Sequence, residues 1–224
     1  MKPYQPPPHT PIPMFHPNYP LSELKPAPYN PRRIGPKAIE QLQASLRTLG
    51  PIKAVIARDD RTIVAGHQRS RNMQAVGITH APVYMLNGIS DADEVRFNQI
   101  HNSADIEIGG CRIRIRKPLK AGWHIVDSSD IEVITKTTKA SQLAEICKLL
   151  TKFGEWGNAV ADTTGRILAS PLYALACHNL RKPLRVCVVP QDKGVAVLRY
   201  LGRQYGEFSY SHLPEQMWAR PSLR

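Results

Sequence analysis

Apolar positions along this chain fall into short runs and spaced faces, separated by turn residues. Leu21-Ser22-Glu23-Leu24-Lys25-Pro26 reads as a short strand and turn. Behind Pro36, the residues Ile39, Leu42, Leu46 and Leu49 recur at three- and four-residue intervals, which predicts a helix ending at Gly50. Runs at 52–57 and 62–65, joined by Asp59-Asp60, predict a pair of strands. A second helix is predicted over 67–76 with its stop at Gly77, then a strand over 81–86. Ser90, with Asp93 three residues on, marks the start of a helix running to about residue 102.

The same rhythm returns 104 positions later without a gap. Leu46, Leu49 and Gly50 fall on Leu150, Phe153 and Gly154. Ala54-Val55-Ile56-Ala57 falls on Asn158-Ala159-Val160-Ala161, and Ile63-Val64-Ala65-Gly66 on Ile167-Leu168-Ala169-Ser170. Both halves read helix, glycine, strand, polar turn, strand, helix, strand, so the expected class is α/β (α+β), with a second, degenerate copy of one unit. A competing reading of Lys139–Glu145 is the opening of a helix-turn-helix, although Gly154-Glu155-Trp156-Gly157 is poor material for a recognition helix.

The expected organisation is a proline-rich extended arm over 1–20, a first domain over 21–106, a basic strand or linker over 107–119, a second lobe over 120–210 and a tail over 211–224. Prolines fix φ and remove N–H donors, so the arm is read as extended rather than regular. No apolar run approaches a membrane span, no signal-peptide core follows Met1, and the four cysteines have no metal-finger spacing. These features read as a cytoplasmic protein with reduced thiols and no structural metal.

Charge changes the picture. A formal net charge of +12 points to a polyanionic partner, with nucleic acid first. Within Cys111-Arg112-Ile113-Arg114-Ile115-Arg116-Lys117, strand alternation puts Arg112, Arg114 and Arg116 on one face and Ile113 and Ile115 on the other. That row suits a phosphate backbone, and equally suits an edge strand protected by charge. Arg33 reads as part of the nucleic-acid surface; Arg181, Lys182, Arg185, Arg199 and Arg203 would extend it from the second lobe.

Candidate chemistry centres on Gly66-His67-Gln68-Arg69, where an apolar run turns directly into a helix. A glycine at such a junction exposes backbone N–H groups beside a helix N-terminus, which suits an anion. Arg69 and Arg71 add positive charge. His67 has three readings: acid–base group, metal ligand, or a hydrogen-bonding residue that orients the loop. In the second half the four positions become Ser170, Pro171, Leu172 and Tyr173, which do not suit a phosphate.

The first unit resembles the ParB/sulfiredoxin superfamily. The resemblance rests on Asn30-Pro31-Arg32, Leu49-Gly50, Gly66-His67-Gln68-Arg69, Pro82-Val83 and Asn102, in that order. It covers about residues 21–106. Two departures are visible: partition proteins usually carry Glu where this chain has His67, and sulfiredoxins need a cysteine in the box, which is absent here.

The resemblance implies a nucleotide, CTP or ATP, with Mg2+, bound by Arg32, Gly66, Arg69 and Asn102; the local reading of the helix start adds His67, Gln68 and Arg71 to the expected phosphate site. With the imidazole reading added, His67 and Arg69 are the catalytic candidates of a Mg-dependent NTP hydrolase or nuclease; charge and resemblance together point to DNA as a partner, and the resemblance implies a phage or plasmid source. A homodimer is compatible with it. A non-catalytic DNA-binding regulator or inhibitor, and a small-molecule phosphotransferase, stand as alternatives.

Overall fold

The computed structural model describes residues 14–28, 34–90, 92–94, 96–97, 101, 112–135, 140–194 and 196–197. Arg32, Arg33, Asn102, Arg199, Arg203 and the tail over 211–224 lie outside the described residues. The first sheet holds four strands in the order β1 (Met14–Pro20), β4 (His80–Leu86), β2 (Val55–Arg58), β3 (Ile63–Ala65). β2 runs parallel to β4, while β1 and β3 run antiparallel to their neighbours. The sheet thus begins at Met14, inside the stretch expected as an arm. Leu21–Glu23 is a 3-10 turn rather than a strand.

Helix α1 (Pro36–Leu49) forms where the spacing predicts it: Pro36 occupies the first turn, Ala38, Leu42 and Leu46 are buried, and Gly50 ends it at φ 67°. Helix α2 (His67–Ala75) connects β3 to β4. In the second half, α3 (Ala140–Phe153) and α4 (Pro171–Asn179) accompany a sheet in the order β6 (Gly122–Val126), β10 (Leu184–Val189), β8 (Ala159–Asp162), β9 (Ile167–Ala169). Its strand directions match those of the first sheet, pair by pair. The helix over 140–153 leads into a strand rather than a recognition helix, so the helix-turn-helix reading of this segment is corrected.

Positive φ recurs at the same spacing. Gly50 and Gly154, Arg61 and Gly165, Gly66 and Ser170, and Gly77 and Arg181 all have left-handed backbone, each pair 104 positions apart. Sharp turns therefore fall at equivalent places in both halves, whatever residue stands there.

Alternation along the strands divides the apolar side chains into two clusters, each drawing on both halves. Val55, Ala57, Val83 and Met85 pack with Leu42, Leu46 and Met73 of the first half, and with Val160, Cys187 and Val189 of the second. Ala159, Ala161, Val186 and Val188 pack with Leu150, Phe153 and Leu172, and with Ile56, Tyr84, Leu86 and Phe97 of the first half. Burial of this kind stabilises by roughly 25 cal/mol per Å² of apolar surface. Because each cluster takes residues from both sheets, neither sheet completes its core alone.

Polar groups reinforce that junction. The Asn158 amide donates to Ile52 O at 2.9 Å and accepts from Ala54 N at 3.1 Å. The Tyr84 hydroxyl lies 2.8 Å from Glu155 Oε1 and 3.0 Å from Gly157 O. Arg185 Nε donates to both Tyr84 and Glu155 at 3.0 Å, and its guanidinium sits 3.9 Å over the Phe15 ring. Arg185 is thus half-buried at the junction, not on the basic surface expected of it. A two-stranded ribbon, β5 (Arg112–Ile115) with β7 (Ile131–Thr135), flanks the second sheet.

Candidate functional site at the glycine–arginine corner

Strand β3 is buried along its length and ends at Gly66, whose φ of 101° and ψ of 17° turn the chain straight into α2. A side chain is disfavoured at that φ. Space is also limited: a Cβ there would lie 3.3 Å from Arg69 Nη2 and 3.5 Å from both Arg69 Nε and Val55 Cα. The Arg69 guanidinium therefore folds back over Gly66, across the start of its own helix. It is half-buried, and it has no ion-pair or hydrogen-bond partner among the described residues. The first turn of α2 carries no side-chain cap. Uncapped N–H groups and an unpaired guanidinium thus meet at one corner, the arrangement an oxyanion fits.

His67 is engaged on its Nε2 side by the backbone. Its Nε2 accepts the Ala27 N–H at 3.1 Å, which fixes the proton on Nδ1. Burial pushes its pKa down to about 4. A neutral imidazole committed to a backbone N–H braces the segment around Ala27 against the helix. Among the three readings of His67, this geometry has the shape of the loop-orienting one.

The other expected residues divide. Gln68 is half-buried, and its carbonyl accepts from the Asn72 amide at 2.8 Å. Asn72 Oδ1 in turn accepts from Gln43 Nε2 at 3.0 Å, tying α2 to α1. Arg71 is exposed on the first turns of α2. Arg112, Arg114 and Arg116 stand on the ribbon in the second half, with Ile113 and Ile115 buried beneath them. They form a surface separate from the corner in chain position and sheet.

Two features escape sequence reasoning. Lys53 is buried, with Nζ 2.9 Å from Asn158 O and 2.6 Å from Ser170 Oγ. Ser170 is the position 104 beyond Gly66, and it too has left-handed backbone, at φ 57°. Tyr173, 104 beyond Arg69, is buried with its hydroxyl accepting from Trp156 N and Gly157 N at 3.3 and 3.2 Å. A cation from the first half and a phenol from the second fill the matching corner. The second feature is Glu94, buried against Arg58 at 3.0 Å with Oε1 unsatisfied, its pKa pushed up to about 7 by burial. Neither residue carries a signal in the sequence, because Lys and Glu are ordinarily solvated.

No group of three His, Cys, Asp or Glu side chains converges on a metal position among the described residues. A divalent cation at the corner would have to arrive held by phosphate oxygens. No described helix is long and apolar enough to cross a membrane.

A family model described as the ParB N-terminal domain matches residues 17–103. The ParB-like nuclease domain-containing protein YnaK of Escherichia coli (strain K12) is 30% identical over 77 residues, 34% of this chain and 88% of that protein. The chain belongs to the ParB-like family. A probable chromosome-partitioning protein ParB of Vibrio cholerae serotype O1 is 31% identical over 156 residues, covering 63% of this chain and 53% of that protein. With the Chlamydia pneumoniae relative the coverage is 58% and 48%, at 26% identity. This ParB-like chain thus spans about half the length of the chromosome-partitioning relatives it matches. Among solved structures, the C-terminally truncated ParB of Caulobacter crescentus complexed with CTP-gamma-S is matched at a TM-score of 0.39 and 24% identity, over 42% of this chain and 56% of that one. The match to the family model spans the corner and excludes the second sheet and the ribbon.

Proposed function

We propose that this ParB-like protein binds a nucleoside triphosphate, CTP or ATP, by its phosphates at Gly66–Arg71. The observation that carries this reading is the Arg69 guanidinium, half-buried and without a partner among the described residues, lying over a left-handed glycine at a helix start with no side-chain cap. Gly66 lets the phosphate approach the backbone, Arg69 neutralises it, and Arg71 adds charge from the exposed side. Arg32 and Asn102 remain proposed ligands through the resemblance. Mg2+ supplies charge neutralisation of the triphosphate when bound.

His67 enters this reading as a brace. A histidine that is neutral down to about pH 4, with Nε2 already bonded, holds the Ala27 segment in place and does not exchange protons near neutrality. Binding rather than His67-driven hydrolysis is accordingly the proposed activity. The second half is proposed as a degenerate copy whose matching corner is occupied by Lys53 and Tyr173, leaving one nucleotide corner per chain.

A thermal-shift screen of CTP, ATP, ADP and GTP with Mg2+ tests the reading. One triphosphate should raise the wild-type midpoint by mass action and leave Arg69→Ala unmoved. Equal shifts in both proteins would place the nucleotide elsewhere. A second reading, a DNA-binding regulator without turnover, is favoured by the +12 charge. It predicts salt-dependent DNA binding with no nucleotide effect on stability.

A further inference from the structure

The ribbon carries a charge arrangement that the sequence alone shows only in part. Arg114 on β5 pairs with Glu132 on β7 on one side, and bridges to Arg166 just before β9 on the other. Antiparallel bridge partners send their side chains to the same face. Arg114 and Arg166 are both exposed, so two arginines leave directly opposed backbone positions on one face. Arg112 extends the row along β5, at roughly 7 Å per two residues, and Arg116 follows directly after the strand, its N–H donating to Asp130 O at 2.8 Å.

Like charges placed opposite each other destabilise a sheet. The carboxylates beside the row offset only part of its charge: Glu132 holds Arg114 at 2.6 Å and Asp130 holds Lys117 at 3.2 Å. Arg116 and Arg166 have no ion-pair partner among the described residues. The opposite face of the ribbon is anchored, with Ile113, Ile115 and Ile131 buried in the core. Gly165 lies so close to Ile115 O that no side chain fits between them, and Ile115 N donates to Gly165 O at 2.7 Å. The arginine face is therefore held rigidly on a two-stranded ribbon, presented outward at a standing electrostatic cost.

We infer that the outward face of the β5–β7 ribbon, with Arg112, Arg114, Arg116 and Arg166, is a docking surface for the phosphate backbone of duplex DNA. Guanidinium forks match phosphate oxygens, and backbone contacts of this kind give affinity without sequence choice. Shape selects among polyanions. A two-stranded ribbon enters the major groove of B-DNA, whereas the A-form RNA major groove is too narrow for it. The face offers one exposed apolar residue, Ile134, and so lacks the broad apolar stripe with which amphipathic elements enter a lipid surface. This surface is independent of the nucleotide corner.

The test is fluorescence anisotropy of a labelled random-sequence DNA duplex with the full chain, titrated at several salt concentrations. The triple variant Arg112→Gln/Arg116→Gln/Arg166→Gln should bind at least ~10-fold more weakly at ~100 mM salt, with a salt slope smaller by about 2–3. Its thermal midpoint should equal or exceed that of wild type, since all three side chains are exposed and Arg166→Gln removes one of two opposed like charges. Arg69→Ala should bind the duplex as wild type does, which separates this surface from the corner. Unchanged duplex binding by the triple variant would overturn the proposal. So would tighter wild-type binding to single-stranded RNA or to phosphatidylserine vesicles than to the duplex.

Discussion

Lys53 in the first half donates from Nζ to Ser170 Oγ in the second at 2.6 Å, and Ser170 stands 104 positions after Gly66. Where the first corner presents an arginine over glycine, with no partner among the described residues, the second holds a serine bonded to a buried ammonium and a tyrosine bonded to backbone N–H groups. Similar backbone turns thus carry opposite chemistry. Lys53→Ala should strip donors from Asn158 O and Ser170 Oγ and leave a cavity at the junction. The expected loss is about 2–4 kcal/mol by urea denaturation. A midpoint equal to wild type would show that the junction does not depend on this contact.

Gly165 is irreplaceable for two separate reasons. Its φ is +88°, and a Cβ would meet Ile115 O at 2.3 Å. Gly165→Ala should cost about 3 kcal/mol or more, read as a lowered melting temperature. Because the strain falls on the ribbon's attachment, Gly165→Ala should also speed amide exchange at Ile115.

His67 makes stability depend on pH with a definite sign. Burial lowers its folded pKa to about 4 against 6.5 unfolded, so the unfolded chain takes up the proton first. Its stabilising contribution is full above pH 6.5 and disappears as pH falls towards 4; it amounts to about 3 kcal/mol. The stability gap between wild type and His67→Ala, measured by denaturation from pH 7 to pH 4, should therefore narrow. A gap independent of pH would mean that the imidazole is not held neutral.

Glu94 acts in the opposite direction over an overlapping range. Its folded pKa is pushed up to about 7 from 4.5 by burial, so the folded chain retains the proton longer. The associated stability is complete below pH 4.5 and is lost as pH rises through 7. Glu94→Gln should flatten that fall, giving a protein that loses less stability than wild type between pH 5 and pH 8. Parallel profiles for the two proteins would contradict it.

Much of the fold was legible because its signals are local. Pro36 and Gly50 bracket α1, Gly66 and Gly77 bracket α2, and alternation in Arg112–Ile115 sorts exposed arginines from buried isoleucines. The corner was legible for the same reason, since glycine, helix start and Arg69 lie within four residues. What the sequence concealed depends on distant partners. Met14–Pro20 becomes a strand only because β4 lies beside it, despite three prolines nearby at Pro13, Pro17 and Pro20. The commitment of His67 depends on Ala27, 40 residues away, and the burial of Lys53 on Ser170, 117 residues away. Arg166 joins the arginine row only through its bridge to Arg114.

The central claim is that Arg69 grips phosphate at the Gly66 corner. Isothermal titration of CTP and of ATP with Mg2+ into wild type and Arg69→Ala measures this directly. Loss of one charge-assisted contact should weaken the preferred triphosphate by about 10-fold or more, corresponding to about 1.5–3 kcal/mol. Equal affinity in the two proteins, or no binding of either nucleotide to wild type, would contradict the account.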